Sequence, residues 1–422
     1  MAPAPPKPPG SPLRATPARA VFQCTACGRC CYHWNIPVDR AAWERLGTLL
    51  VPGPENPKGY DRDQCMTLHA TPSERHHATL KMADGHCVFL EDDQLCYLHR
   101  QFGPEAKPVI CRAFPSTTVN TPWGVFLGPS FACKGMILAL QKTAGDIMPR
   151  TYPADGLAGA ASLQMVDVPP SAVVPWGSQR QGGILTTAVD DLLNGWLSLF
   201  RLEAQSAEES VLMGRLWLDE LVHGNGLRSA TEVTKSVEPH LDDGGRKLVQ
   251  RARELPTSLT IQVRILSVLL HRRLGLGGVM PGSLPWFEQL LTRYRLGHGS
   301  LDESTGLFQT DLEAFYLPVQ KELRRILITY VGNRLFYHNM LFTHGVVPAY
   351  HAIITLFALI RFFAVSRASI RGVPVGERAV LSSIELVERE FSHAASLFDF
   401  WKEAANIETQ RLPFAAILLQ AR

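Results

Sequence analysis

After Cys133 the sequence has no cysteine: the last 289 residues carry none, and all nine thiols fall in the first third of the chain. Net charge is scarce too, with 42 Lys and Arg against 39 Asp and Glu, which argues against an electrostatic grip on nucleic acid. Long hydrophobic runs are lacking. The best candidate, Ala352 to Ile360, is nine residues between His351 and Arg361, whereas a bilayer span needs about 20. The first 20 residues have no acidic side chain and no apolar stretch of the kind a secretion signal carries, but they do have seven prolines. That composition cannot build a core, so residues 1–20 are expected to be a disordered tail. With 46 % hydrophobic and 19 % charged residues, the remainder can bury a sizeable interior, and the expectation is a soluble, cytoplasmic protein with no nucleic-acid or membrane partner.

Ordinary core use of cysteine would not leave two thirds of a chain empty. In a reducing compartment clustered thiols point to metal or redox chemistry rather than disulfides. The cluster opens Phe22-Gln-Cys24-Thr-Ala-Cys27-Gly-Arg-Cys30-Cys31. The two-residue spacing of Cys24 and Cys27 suits a tight turn that points two thiolates at one ion, with Gly28 supplying permissive backbone. Cys24, Cys27 and Cys30 also reproduce the C-x2-C-x2-C run that wraps an iron–sulfur cluster. Cys30 and Cys31 are adjacent, and neighbouring side chains diverge. Either they serve two metals, or one ligates while the other supports.

Three further pieces follow. Cys87 and Cys96 flank an eight-residue stretch that reads as a β-hairpin with an acidic turn at Glu91 to Asp93. Cys111 lies in Cys111-Arg112-Ala-Phe114-Pro115, where Arg112 either offsets cluster charge or forms a surface ion pair. Cys133 precedes Lys134-Gly135 at the start of a predicted helix, whose N-terminus favours a thiolate. Cys65 matches no piece and reads as an ordinary thiol. His33 and His99 lie close to cluster cysteines, but four thiolates already complete a tetrahedral site. Trp34 and Trp43 read as an apolar lid. His69, His76, His77 and His86 fall in a polar loop, while His338, His344, His351 and His393 accompany apolar helices. Residues 21–135 hold 11 Lys and Arg and 11 Asp and Glu, a neutral balance before any thiolate charge.

The fold class expected is mainly α: an irregular cysteine-rich metal-binding domain with a small β-hairpin (residues 21–145), an irregular Pro- and Gly-rich connector (146–184) and an α-helical bundle (185–422). One helix is expected in the front domain, capped by Asp39 and running from Arg40. In the bundle, Leu323, Ile326, Leu327, Tyr330, Val331 and Leu335 repeat at three and four, with Pro318 near the helix start. Ala352 to Ser366 reads as a buried helix, Ser382 to Phe400 as a long amphipathic one. His271, Arg272 and Arg273 end a helix ahead of Gly275, Gly277 and Gly278. That glycine run follows a helix rather than a strand, so it lacks the context of a nucleotide-binding turn.

Cys24-x2-Cys27-x2-Cys30-Cys31, Cys87, Cys96-x2-His99, Cys111-Arg112-x2-Pro115 and Cys133-x-Gly135 resemble the YkgJ-type CxxCxxCC family, whose members are regarded as zinc- or iron-chelating domains. Lys134 stands where that family commonly has proline. The helical half, through Arg324 to Phe336, Tyr350 to Ala364 and Glu390-Phe391-Ser392-His393, resembles flagellin lysine-N-methylases. That resemblance implies methyl transfer from S-adenosylmethionine to lysine side chains of a protein substrate such as flagellin, with an iron–sulfur cluster on the enzyme. It carries over no catalytic residue. The order Cys24-x2-Cys27-x3-Cys31 is not the C-x3-C-x2-C of the usual radical enzymes.

Two functions therefore stand. The residues support a protein that binds zinc or an iron–sulfur cluster (4Fe-4S), with Cys24, Cys27, Cys30, Cys31, Cys87, Cys96, Cys111 and Cys133 as metal ligands and a helical partner domain. The resemblance supports an S-adenosylmethionine-dependent lysine methyltransferase.

Overall fold

The computed structural model describes residues 13–32, 35–121, 124–152, 166–167, 173–177, 182–204, 206–223, 226–275, 279, 283–336, 339–392 and 412–420. His33, Trp34, Gly277, Gly278, His338 and His393 lie outside them. The chain is mainly α, with small sheets toward the front and a helical second half.

Two cores organise it. The smaller gathers Ile36, Val38, Ala42, Leu46, Met66, Phe89, Tyr97 and Leu98 around the cysteine segment. Its expected helix is present as Arg40–Leu49, where the Asp39 carboxylate accepts from the Ala42 N–H at 2.9 Å. The helix expected after Cys133 is present too, as Lys134–Lys142, whereas the helices Tyr97–Phe102 and Val109–Ala113 were not expected. The expected hairpin between Cys87 and Cys96 is reduced to one bridge, Leu90 to Cys96, closed by a tight turn. The regular pairing falls just before it, between Met82–Ala83 and His86–Cys87.

The larger core belongs to the helical body. Its centre is Val346–Arg371, buried on nearly every face. That helix has the length and hydropathy of a membrane span, but 89 % of its most apolar stretch is buried inside the protein. Leu323, Ile326, Leu327, Tyr330, Val331 and Leu335 all bury on Gln320–Leu335, after a helical turn at Leu317–Val319 that takes up Pro318. Basic Arg272 and Arg273 end Leu259–Gly275 as expected. Of the amphipathic stretch expected from Ser382 to Phe400, the described part continues the helix Glu377–Val387 and widens into a π-helical turn over Glu388–Ser392; residues 393–400 lie outside the described residues.

The larger correction concerns how the front is fastened. Within the stretch expected to be a disordered tail, Leu13–Ala15 is a strand and Pro17–Ala20 a helical turn. Leu13 and Ala15 are buried against Val125 and Leu127, which is the free-energy gain that composition alone could not show. The strand joins a five-stranded sheet in the order Val166–Asp167, Ser116–Thr121, Gly124–Pro129, Leu13–Ala15, Arg150–Tyr152. Leu13 pairs in parallel with Val125 and antiparallel with Tyr152. Within the expected connector, Arg150–Tyr152 and Val166–Asp167 are therefore sheet strands. Val173–Pro175 pairs with Gly183–Leu185 in a second sheet, and Trp176 beside it is fully buried.

That first sheet rests on the helical body. The Ala18 N–H donates to Asn333 Oδ1 at 3.3 Å, Arg14 pairs with Asp190, and the rings of Phe131 and Tyr330 lie 5.5 Å apart. Ala18, Phe126, Phe131, Met136, Leu140 and Ile147 all belong to the large core. The cysteine segment is thus divided between two packing units.

Candidate metal centre at the seam of two cores

All nine cysteines are free thiols. Cys24 and Cys30 are exposed; Cys27, Cys31, Cys96, Cys111 and Cys133 are half-buried; Cys65 and Cys87 are buried. Each is placed by a local device. In the Cys24–Cys27 turn, Ala26 has a positive φ of 49° and its N–H donates to Cys24 Sγ at 3.4 Å. Gly28, at φ 64°, starts the short helical turn Arg29–Cys31. A side chain there would be strained and would also strike Gln94 Oε1 at 2.7 Å. Cys96 and Cys133 each sit at the N-cap of a helix, so that first-turn amides face the sulfur: His99 and Leu98 for Cys96, Met136 and Gly135 for Cys133.

Cys27, Cys30, Cys31, Cys65, Cys87, Cys96, Cys111 and Cys133 form one electrostatic neighbourhood. Cys30 and Cys31 Sγ are 4.0 Å apart. The hydrogen bond from Cys31 brings the Cys30 thiol down to about 7, against a burial cost and with help from Lys107. Cys31 is raised correspondingly, first by that bond, then by burial and by repulsion from Cys30, Cys87 and Cys96. Burial pushes Cys87 up to about 12, and Cys96, Cys65 and Cys30 add repulsion. Cys111 is raised by burial and by Cys87, Cys96 and Cys30. Cys133 is pushed to about 12 by burial, with Cys30 and Cys27 adding to it. Among the described residues no three Cys, His, Asp or Glu side chains close into a metal-binding group. The thiols are neighbours without being a finished ligand set.

Their packing shows where the neighbourhood lies. Cys31, Cys87, Cys96 and Cys111 pack on the small core, whereas Cys133 and Phe22 pack on the core of the helical body. Gly135 explains the last motif. A Cβ there would meet the Gln23 carbonyl at 2.6 Å and the Phe22 ring at 3.0 Å, so only glycine lets the segment leading into Cys24 lie against the Cys133 helix. On the other side of the loop, Arg29 forms an ion pair with Glu385 of the helical body.

Cys65 is buried in the small core near Cys87. His99 is exposed on Tyr97–Phe102. Arg112 pairs with exposed Glu105, a surface ion pair. Trp43 lies beneath the Arg62 guanidinium, 4.2 Å from the ring centre, and beside His77. His351 is a core histidine, accepting from Arg215 Nε at 3.1 Å. Lys107, the cation nearest in effect to Cys30, Cys96 and Cys111, carried no signal in the sequence.

Buried carboxylates in the helical body were also missed. Tyr330 donates to Glu388 Oε1 at 2.6 Å and Arg334 lies 3.3 Å from the same oxygen. Ser283 and Arg273 engage the two oxygens of Glu390 at 2.6 and 2.9 Å. Tyr316, Gln320 and Arg361 converge on Glu208.

Fold and site together define a cysteine-rich unit seated on a helical body. The family comparison agrees: residues 23–126 match CxxCxxCC, described as "Putative zinc- or iron-chelating domain". Residues 208–418, half of the chain, match the FliB lysine N-methylase C-terminal domain, and the chain belongs to that family. No curated protein and no solved structure matches it.

Proposed function

We propose that this protein is an S-adenosylmethionine-dependent protein lysine N-methyltransferase acting on a flagellin-type substrate in the cytoplasm, with zinc or an iron–sulfur cluster held at the seam. The observation that carries the metal half is that free thiols from both cores share one electrostatic neighbourhood. Their mutual repulsion and burial hold most of them protonated, and a bound cation reverses both costs by taking thiolates as ligands. Donor chemistry fits either ion, because thiolates suit zinc and iron–sulfur clusters alike. Cys24, Cys27, Cys30 and Cys133 would hold it on the helical-body side, and Cys31, Cys87, Cys96 and Cys111 on the other. This division gives the adjacent Cys30 and Cys31 separate tasks.

The catalytic half rests on the family of the helical body. S-adenosylmethionine, when bound, supplies an electrophilic methyl group. The chain's part is to hold a deprotonated lysine amine in line with it and to keep water out. A second reading is a metal protein whose helical half recruits a partner without turnover. It is favoured by Glu208, Glu388 and Glu390, whose engagement with Tyr, Arg and Ser partners is structural.

Titration of anaerobically purified, metal-loaded protein with S-adenosylmethionine in a calorimeter separates the two readings, followed by mass spectrometry of flagellin incubated with both. The first reading expects binding and added methyl groups on lysine. Full metal content with neither result leaves the second.

A further inference from the structure

Burying an arginine without an anion is costly, so an arginine that does so calls for an explanation. Arg367 is 9 % exposed, and its Nε is buried with no hydrogen-bond partner. The guanidinium lies over Trp286, whose ring centre is 4.0 Å from the guanidinium carbon. The nearby acids are already engaged. Glu390 is held by Ser283 and Arg273, and Glu385 pairs with Arg29. More positive charge surrounds the spot. Arg389 donates to Ser283 Oγ at 2.7 Å, and its Nε lies 3.8 Å from Glu390 Oε1. Repulsion from Arg371 and Arg389, added to burial and only partly countered by Glu385, lowers Arg367 to about 10. Ser283, the N-cap of Leu284–Arg293, makes no side-chain cap, so the positive end of that helix faces the same place, with Trp286 in its first turn.

We infer that Arg367, laid over Trp286 and flanked by Arg389 and the start of Leu284–Arg293, is the anchor for a ligand carboxylate. Resting on the proposed function, the ligand is the methyl donor and the anchored group is its amino-acid carboxylate. The planar guanidinium is suited to two parallel bonds to a carboxylate while its face stays on the indole. The donor's positive sulfur must then point away from these arginines, which orients the methyl group outward from the anchor.

The test compares wild type with Arg367→Met, which keeps an apolar stem on Trp286. Two probes are titrated calorimetrically: S-adenosylhomocysteine, which has the carboxylate, and methylthioadenosine, which lacks it. The expected result is a loss of about 10- to 100-fold in affinity for the first and no change for the second. The ligand-free variant should melt no lower than wild type, since an unpaired buried charge has been removed. Equal affinity of both proteins for S-adenosylhomocysteine overturns the anchor and leaves the methyltransferase reading intact. Equal loss for both probes overturns it too, because the side chain would then be acting on the fold. Wild-type protein that binds neither probe overturns the anchor and the methyltransferase reading together.

Discussion

Glu208 offers the sharpest test of how the helical body is held. Its carboxylate is 3 % exposed and accepts from Tyr316 at 2.6 Å, Gln320 at 3.0 Å and Arg361 at 3.3 Å. Arg361, 1 % exposed, also donates to the carbonyls of Leu419 at 2.5 Å and Leu418 at 3.0 Å, so the pair ties Ala207–Val222 and the core helix to the last helix, Leu412–Leu419. In Glu208→Ala the arginine loses its counter-charge and Tyr316 its acceptor. Breaking a buried pair from one side costs about 3–5 kcal/mol, a large part of the roughly 5–15 kcal/mol that holds a domain together. Urea unfolding followed by the fluorescence of buried Trp196 and Trp217 reads the loss as a lower midpoint at similar slope. Adding Arg361→Met removes the stranded charge. The double variant should therefore lose less than the sum of the singles, by about 0.5–3 kcal/mol. A Glu208→Ala loss under about 1 kcal/mol, or strict additivity, refutes the reasoning.

Further predictions concern the seam and the surface. Gly135→Ala should cost about 1–3 kcal/mol through overpacking and lower metal content, because the added Cβ would fall 2.6 Å from the Gln23 carbonyl, which is backbone; elemental analysis beside a melting curve checks both. Cys24→Ser with Cys27→Ser should strip metal, whereas Cys65→Ser should keep it; retained metal in the double variant removes those two ligands from the set. Burial raises the Glu220 carboxyl, but hydrogen bonds from His240 and Arg251 outweigh that and leave it below its usual value. A lowered carboxyl stabilises the fold above its unfolded value, about 4.3, and the gain disappears as pH falls through the folded one. Glu220→Gln should flatten that part of an acid-unfolding curve, and an unchanged curve counts against it.

Some of this was legible in the sequence because the cause is local. Asp39 caps its helix with its own carboxylate, Cys133 precedes a helix, and the three–four repeat through Leu335 is one element's face. The resemblance to the cysteine-cluster domain could be read for the same reason, since its spacings are short. What was not legible depends on distant partners. Leu13-Arg-Ala is a strand only because Gly124–Pro129 lies beside it. Glu208 is buried while Glu209, next in sequence, pairs with Arg253 near the surface. No pattern of residue types separates those two. The hairpin of Ser116–Thr121 with Gly124–Pro129 does carry a local signal, the β-branched run Thr117, Thr118 and Val119.

The account stands on thiolates gathered about an inorganic centre where the two cores meet. X-ray absorption at the zinc and iron edges of anaerobically purified protein addresses that directly. The prediction is a first shell of sulfur at about 2.3 Å, lost in Cys24→Ser with Cys27→Ser. A metal-free preparation with every thiol open to alkylation, or a shell of nitrogen and oxygen only, would contradict it.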